Sequence, residues 1–303
     1  MLPAMRRRPR ITIVGAGNLG AALAMCLRQA GYVIDQIVFR DSRASRRKAT
    51  ALARTVGAWA VAIARAAIDS DVVWFCVPDD AIAEVARSVA QKADWKGRVA
   101  LHSSGALVSD ELAVLRRRGA HVASVHPMMT FVAGSSVSDS SQTDSLKTNS
   151  QRSFAGVPFA IEGDAAAVRA CRVIVKVLGG KAHAIRRQDK VAYHAWGTFA
   201  SPLLTALLAT TEHVAAAAGL NRREAKRRML PILQQTLANY AALDAAGAFS
   251  GPIVRGDVET IRRHLRVLRK VPAAAEVYAA LAKAAVRYLP GRRTRTVRKV
   301  LKA

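Results

Sequence analysis

The segment DKVAYHAW, residues 189–196, carries the residue types of this chain that are best suited to proton chemistry. Lys190 and His194 are four positions apart, so on a helix both side chains project from one face. An ammonium and an imidazole held together can bind an anion or exchange a proton with a bound molecule. The same spacing also occurs on ordinary helix surfaces, so the pair by itself leaves a site and a solvated face as alternatives.

Turn-forming or polar residues follow three apolar runs that we predict to be strands. Val77 and Pro78 end the first run, Ser103 and Ser104 the second, and His126 the third. Ligands of an open α/β sheet lie at the carboxyl ends of its strands. We therefore expect Val77 and Pro78 to contact a cofactor. We expect the hydroxyls of the two serines, with nearby amides, to hold a substrate carboxylate or a nicotinamide carboxamide; a simple serine-rich turn is the alternative. We expect His126 to line the substrate pocket, with a hydrogen-bonded structural histidine as the alternative.

Arg255 is a further candidate ligand for a substrate carboxylate. It lies in GPIVRGD, residues 251–257, where two glycines and a proline interrupt a helical region. A simple turn between two helices, capped by Asp257, is the alternative.

A glycine-rich turn follows the first predicted strand in ITIVGAGNLG, residues 11–20. In such a strand–turn–helix unit the first glycine permits the tight turn, the second lets the backbone approach a pyrophosphate, and the third lets the helix pack closely on the strand. The first N–H groups of the helix favour a phosphate. We assign the pyrophosphate to five positions: Gly15, Gly17, Asn18, Leu19 and Gly20.

The second predicted strand ends in VFRDSR, residues 38–43, which bears on the choice of nicotinamide cofactor. NAD-binding proteins of this type place an acid there, on the ribose 2′-hydroxyl. Arg40 stands at that position, followed by Ser42 and Arg43, and a guanidinium can pair with a 2′-phosphate. A register shift of one residue would restore an acid, Asp41. The pattern favours NADP over NAD.

Strand and helix patterns alternate through the first half of the chain, which is typical of a parallel, doubly wound sheet. After about residue 187 the pattern is helical. We predict an α/β fold with a Rossmann-type, mostly parallel sheet over residues 1–186 and an all-helical domain over residues 187–303. The serine-rich residues 133–153 are predicted to form a flexible surface loop.

Local signals predict several further features. Ser109 and Asp164 are predicted to cap helices. The uncharged segment Val191–Thr211 has the length of a membrane span, but its histidine, proline and threonines favour a buried central helix at a subunit interface. The last stretch, RYLPGRRTRTVRKVLKA, has seven basic residues and no acid, and we expect a solvated, partly frayed terminus.

Seven segments resemble a known bacterial family: ITIVGAGNLG, VVWFCVPDDAI, LHSSGAL, SVHPMMTF, GVPFAIEGD, DKVAYHA and GPIVRGD. That family comprises Rossmann-like proteins whose C-terminal part is a domain of unknown function, number 2520. It is similar to the six-phosphogluconate-dehydrogenase-like superfamily, which includes pyrroline-5-carboxylate and ketopantoate reductases. The resemblance, over about residues 10–285, implies an NADP-linked oxidoreductase that forms a homodimer through its helical domain. It implies no particular substrate.

The resemblance also implies a role for Lys190. Related hydroxyacid dehydrogenases carry Lys-x-x-x-Asn at this junction, where the lysine acts as general acid or base during hydride transfer. Burial lowers the pKa of a lysine toward neutrality, as that role requires. In this chain His194 replaces the asparagine and IRRQDK replaces the glycine-rich lead-in. Lys190 or His194 is therefore the candidate proton donor, with anion binding alone as the alternative.

Composition narrows the function classes. Lys and Arg exceed Asp and Glu by 26 charges along the whole chain, which indicates compositional drift with a mild preference for anionic ligands. No nucleic-acid recognition motif is present, so we expect no specific nucleic-acid partner. Isolated cysteines and scattered histidines predict neither disulfides nor a metal site, and they suit a reducing cytoplasm. The N-terminus lacks the apolar region of a secretory signal, and we expect no membrane association.

Together these features predict an NADP-dependent oxidoreductase that acts on a small anionic carbonyl or imine compound. A non-catalytic regulatory protein that binds NADP(H) is the alternative.

Overall fold

The computed structural model describes residues 8–132 and 154–302, so the predicted serine-rich loop lies outside the described residues. The chain divides into two compact units, Met1–Gly197 and Thr198–Ala303. The sequence-based boundary at residue 187 precedes this division because the last helix of the first unit was assigned to the helical domain.

The first unit contains one eight-stranded sheet. Its strands are β1 (Arg10–Val14), β2 (Val33–Phe39), β3 (Trp59–Ala62), β4 (Val72–Phe75), β5 (Val99–His102), β6 (His121–Pro127), β7 (Pro158–Gly163) and β8 (Lys181–Ala184). The spatial order is β3-β2-β1-β4-β5-β6-β7-β8. Strands β1 to β6 are parallel, β7 runs antiparallel to β6, and β8 is parallel to β7. This confirms the predicted doubly wound, mostly parallel sheet.

Helices cover both faces of the sheet. They are α1 (Asn18–Gln29), α2 (Arg43–Val56), α3 (Ile82–Val89), α4 (Ala113–Arg116), α5 (Ala165–Val177) and α6 (Lys190–Thr198). Apolar side chains of α1, α2 and α5 pack on one face, and those of α3 and α4 pack on the other. All four residues of β4 are buried, because a strand covered on both faces must be apolar at every position.

Ser109 does not cap a helix, so that prediction is wrong. It is the first residue of a 3-10 turn, Ser109–Leu112, that leads into the short helix α4. Its hydroxyl donates to the buried Glu162 carboxylate on β7 at 3.0 Å. Asp164 does stand at the N-cap position of α5, but its side chain accepts from the Val122 amide of β6 instead of a helix amide.

The second unit is helical throughout its described residues. It contains α7 (Leu204–Ala217), α8 (Arg222–Ala248), α9 (Pro252–Arg255), α10 (Val258–Leu268), α11 (Ala274–Tyr288) and α12 (Thr294–Val300). Asp244 has a positive φ of 69°, so α8 is two helical segments joined at a kink. Asp257 accepts from the Thr260 amide and caps α10.

The basic C-terminal stretch is folded, not frayed as predicted. Val297, Val300 and Leu301 are buried against Ile261 of α10 and Val286 of α11. These three residues share one face of α12, while its basic residues lie on the other. Burial of that apolar face gives α12 a stable position that charge composition alone does not reveal.

Two findings concern the uncharged segment from Val191 to Thr211. It is helical, and Val191 and Phe199 are 69% and 73% exposed on the single chain, so burial of this segment at a subunit interface stays a prediction. Among the described residues no single helix is long and apolar enough to cross a membrane, although one bent pair of helices meets both criteria together.

Candidate functional site

The glycine turn after β1 has the geometry that the sequence predicts. Gly15 has a φ of +108°, and a Cβ there would collide with the carbonyl of Cys76 beyond β4. A Cβ on Gly20 would collide with the Gly15 carbonyl. At Gly17, by contrast, a Cβ would meet no atom within 4 Å. Two glycines therefore serve close packing, and the middle one presents bare backbone to open space.

The N-terminus of α1 lies at this turn. Gly17 is its N-cap, and neither a side-chain cap nor an acidic residue occurs in its first turn. Asn18 directs its amide group to the Phe131 carbonyl at 2.9 Å. The amide N–H groups of Asn18, Leu19 and Gly20 begin the helix, where free donors and the helix dipole favour an anion.

Val77 and Pro78 connect β4 to α3 beside this turn. A methyl of Val77 lies 3.2 Å from the position of a Cβ on Gly15. The Pro78 carbonyl accepts from the Ala81 amide and starts the following 3-10 turn. Both residues are therefore at the crevice between β1 and β4, where the strand order reverses and dinucleotides bind in such sheets.

The residues after β2 differ in whether their side chains already pair with other groups of the protein. Arg40 follows the last strand residue directly and is exposed. Asp41 pairs with Arg46 of α2 at 3.2 Å. Ser42 caps α2 by accepting from the Ser45 amide, and Arg43 is the exposed first residue of that helix. The guanidinium of Arg40 is thus at the strand end, while the neighbouring acid already has a cationic partner.

A row of buried polar side chains crosses the middle of the sheet. His102 on β5, Ser124 on β6 and Glu162 on β7 are aligned in register and are at most 5% exposed. Glu162 accepts from the Ser109 amide at 2.6 Å and from its hydroxyl. His102 accepts at Nδ1 from the Ser104 amide, so Nε2 donates to the Val108 carbonyl at 3.0 Å. Burial lowers the pKa of His102 to about 4, which keeps it neutral.

Lys190 lies over this row as the first residue of α6. It is only 1% exposed, and its Nζ donates to Ser124 Oγ at 2.6 Å and to the Ser104 carbonyl at 3.0 Å. Burial lowers its pKa to about 8, although the charges of Glu162 and Asp79 act in the opposite direction. The ammonium therefore fastens the loop after β5 to β6 and to α6.

The two serine hydroxyls after β5 are engaged within the protein. Ser103 Oγ accepts from the indole of the buried Trp74 at 2.8 Å. Ser104 Oγ donates to Asp79 at 2.7 Å and accepts from the amides of Ala106 and Leu107. These bonds shape the turn and occupy Ser104 Oγ, whereas the Ser103 hydroxyl only accepts a bond and can still donate its proton to a ligand.

Three aromatic rings meet beside this loop. His126, at the end of β6, makes edge-to-face contacts with Tyr193 and His194 of α6, at ring-centroid distances of 5.7 and 5.9 Å. A Cβ on Gly105 would lie 2.5 Å from His194 and 2.9 Å from His126 Nε2, so only glycine permits this approach. Lys190 and His194 do not share one environment: the lysine is buried, whereas His194 is exposed.

Two polar atoms in this cluster are buried without a partner. His126 Nδ1 and the Tyr193 hydroxyl form no hydrogen bond with any described residue. Burial lowers the pKa of His126 to about 4, helped by the charges of Lys190 and His194, and burial raises the pKa of Tyr193. At neutral pH the pair is a neutral imidazole and a neutral phenol, which can donate or accept hydrogen bonds to a bound molecule.

The other predicted residue, Arg255, belongs to the second unit. It is the exposed last residue of α9, next to Gly256, whose φ is +67°. Three residues of the site were missed: Ser124, Glu162 and Tyr193. Tyr193 lies within the very segment that drew attention to Lys190 and His194, and its phenol is a recognised proton donor.

The residues at the glycine turn fit a dinucleotide. Bare backbone at Gly17, a helix N-terminus without a side-chain cap, and the exposed Arg40 are features that a pyrophosphate and an adenosine 2′-phosphate require. No group of three His, Cys, Asp or Glu residues in the described parts of the chain is arranged to hold a metal ion.

Solved structures share this fold over nearly the whole chain. A Bacteroides fragilis protein, provisionally named an NADP oxidoreductase, is 22% identical, covers 91% of this chain and 97% of its own, and has a TM-score of 0.72. Protein TM1727 from Thermotoga maritima is 24% identical over 96% and 98% of the two chains, with a TM-score of 0.65. A reductive aminase from Aspergillus terreus, in complex with NADPH4, cyclohexanone and allyl amine, is 17% identical over 93% and 94%, with a TM-score of 0.64.

Family models match both halves of the sequence, whereas no curated protein is significantly similar to it. A Rossmann-like domain matches residues 4–127. A domain of unknown function, DUF2520, matches residues 157–285 and so includes β7, β8 and most of the helical unit. The chain therefore contains a segment that matches a Rossmann-like domain, followed by a segment that matches DUF2520.

Proposed function

We propose that this protein is an NADP-dependent oxidoreductase that transfers a hydride between NADP(H) and a small anionic carbonyl or imine compound. The observation that carries the proposal is the open face of Gly17 at the uncapped N-terminus of α1, in a turn whose other glycines are closely packed. The Bacteroides fragilis and Aspergillus terreus proteins support the same cofactor, since their names or bound ligands include NADP or a form of NADPH.

The proposed preference for NADP over NAD depends on Arg40. Its exposed guanidinium follows β2, where a 2′-phosphate would be recognised, and Asp41 is paired with Arg46. The acid that would select a ribose 2′-hydroxyl is therefore engaged elsewhere.

We assign the proton-handling step to the cluster after β5 and β6. When bound, NADP(H) would supply or accept the hydride. The Tyr193 hydroxyl is the candidate donor to the substrate oxygen or nitrogen, and His126 Nδ1 is the candidate hydrogen-bond partner of the same group, because both atoms are buried and form no hydrogen bond with residues 8–132 and 154–302. His194 is exposed beside them.

Lys190 is a positioning residue in this proposal. Both hydrogen bonds of its Nζ are to groups inside the sheet domain, the Ser104 carbonyl and the Ser124 hydroxyl. The same observation favours the second candidate, a regulatory protein that binds NADP(H) without turnover, because the lysine that related dehydrogenases use in catalysis donates here to two groups of its own chain.

One experiment separates these possibilities. NADPH and NADH are titrated by fluorescence into the wild type and Arg40→Ala, and NADPH oxidation is then followed with a panel of keto acids and cyclic imines. We expect tight NADPH binding, weakened at least tenfold by the substitution while NADH binding is unchanged, and turnover of some panel members. Binding without turnover would support the regulatory protein, and equal binding of both cofactors would contradict the NADP assignment.

We further propose that the protein is a homodimer through its helical unit. Only Ala225 is buried in the 27-residue helix α8. Leu230, Leu237 and Tyr240 fall on one stripe of that helix and are between 43% and 62% exposed. An apolar stripe of this kind is stabilised by a partner surface. A second copy of the chain supplies one, and symmetric pairs are the commonest assemblies.

A further inference from the structure

The C-terminal basic stretch forms one wall of a cavity that the proposed oxidoreductase function does not use. The cavity has a volume of about 400 Å³ and lies between α10 and α12 in the second unit. We call it the α10–α12 groove; its polar lining residues are Arg262, Arg266, Arg269, Thr296 and Lys299. Leu265 and Val300 complete the lining.

The lining is cationic and has no acid. Four of its seven residues are Arg or Lys, and the remaining polar residue is a threonine. Arg262 is 3.8 Å from Glu259, which is also bonded to Arg263 at 3.2 Å. Arg266 and Lys299 form no ion pair with any residue in the described ranges. Arg266 and Lys299 therefore add positive charge to the groove that no acidic residue of those ranges balances.

The two helices that carry these exposed cations are packed together by an apolar core. Val297 and Val300 of α12 are buried against Ile261 of α10, so the two walls of the groove are fixed at close range. Arg262 and Arg266 are four residues apart and project from one face of α10, an arrangement in which like charges repel. A bound anion with several charges removes that repulsion.

We infer that the α10–α12 groove is a binding site for a small soluble compound bearing two or more linked phosphate groups. Guanidinium groups pair with phosphate oxygens in a bidentate manner, and a lysine and a hydroxyl add further donors. The volume lies within the range of small-molecule sites. The lining contains no aromatic residue, whereas single-stranded nucleic-acid sites use aromatic residues to stack on the bases.

The test is calorimetric titration of the full-length protein with sodium tripolyphosphate, in the presence of saturating NADPH so that the proposed nucleotide site is occupied. Arg262→Gln/Arg266→Gln is compared with Arg223→Gln/Arg227→Gln, which removes the same charge at the same spacing from the exposed start of α8. Lys299→Gln tests the opposite wall with a single exposed substitution.

We expect tripolyphosphate to bind the wild-type protein. Its affinity should be at least tenfold lower for the α10 double variant and several-fold lower for Lys299→Gln. The α8 control should bind it with an affinity within twofold of that of the wild type. Equal losses in both double variants, or no tripolyphosphate binding to the wild type, would overturn the proposal. So would binding of a 20-base-pair DNA duplex that depends on the α10 arginines while tripolyphosphate fails to compete. NADPH titration in the same variants reports on the oxidoreductase proposal separately.

Discussion

Tyr193 and His126 show how a site can be recognised from buried polar atoms that form no hydrogen bond with the described residues. Each carries one such atom, whereas the neighbouring Ser104 and Glu162 are bonded within the chain. An unpaired buried hydroxyl lowers stability by the cost of its desolvation. Such atoms are explained when a ligand supplies the missing bond.

Replacing Tyr193 by Phe tests whether this hydroxyl is a proton donor to the substrate or a structural group. We expect kcat for reduction of a panel substrate to fall by about 100-fold, the usual contribution of a positioned general acid. The melting temperature should be unchanged or higher, because the variant loses a buried hydroxyl that has no partner. NADPH affinity should be unaffected. Tyr288→Phe, at an exposed tyrosine of α11, is the control, and a drop in melting temperature for Tyr193→Phe would argue for a structural hydroxyl instead.

Lys190 gives the protein a distinctive dependence of stability on pH. Its folded-state pKa is about 8, below the ordinary 10.5, so between these values the unfolded chain binds more protons than the folded one. Stability therefore rises with pH through this window. Relative to Lys190→Met, the free energy of unfolding of the wild type should increase by about 2 kcal/mol between pH 7 and pH 10. Urea unfolding of both proteins measures this, and a constant difference would show that the ammonium is not desolvated.

At the scale of elements, the turn from β1 to α1 combines two kinds of glycine. Gly20 is required by the fold, because any Cβ there meets the Gly15 carbonyl, whereas Gly17 faces open space. The same residue type therefore has a packing role at one position and leaves room for a ligand at the other.

Alanine substitutions should distinguish these roles. For Gly17→Ala we expect a melting temperature equal to that of the wild type and NADPH affinity at least tenfold weaker, because the methyl group occupies the path of the pyrophosphate. Gly20→Ala should lose about 2 kcal/mol of stability through overpacking. Chemical unfolding and NADPH fluorescence measure both effects. Unimpaired NADPH binding by Gly17→Ala would refute the assignment of the turn.

Sequence patterns could predict the elements far better than the contacts between them. Apolar runs and turn glycines were sufficient for β1, α1 and β4. The pairing of Ser109 with Glu162 joins residues 53 positions apart and leaves no local pattern. Tyr193 could not be assigned because its environment depends on the rotation of α6 relative to β6. The core residues of α12 went unrecognised because seven basic residues dominate that stretch.

At the scale of the whole molecule, exposed apolar surface is concentrated on the helical unit. An open apolar cavity of about 600 Å³ lies between α7, α10 and α11, in addition to the stripe on α8. Surface of this kind is uncommon on proteins that remain monomers.

A charge introduced into the stripe should prevent association. We expect the wild type to be a dimer by light scattering and Leu237→Asp to be monomeric at micromolar concentration, because a buried unpaired carboxylate is costly. Val173→Asp replaces a valine of similar exposure on α5 and should leave the mass unchanged. A monomeric wild type would contradict the proposed dimer.

The strand order β3-β2-β1-β4-β5-β6-β7-β8 has a consequence for how the chain is made. Each strand after β1 pairs with a strand that precedes it in the sequence: β4 returns to β1, and every other strand pairs with its immediate predecessor. As the polypeptide leaves the ribosome, each new strand meets a partner that has already been synthesised. The sheet can therefore grow outward from β1 in the order of translation, and its apolar edges are covered as they emerge.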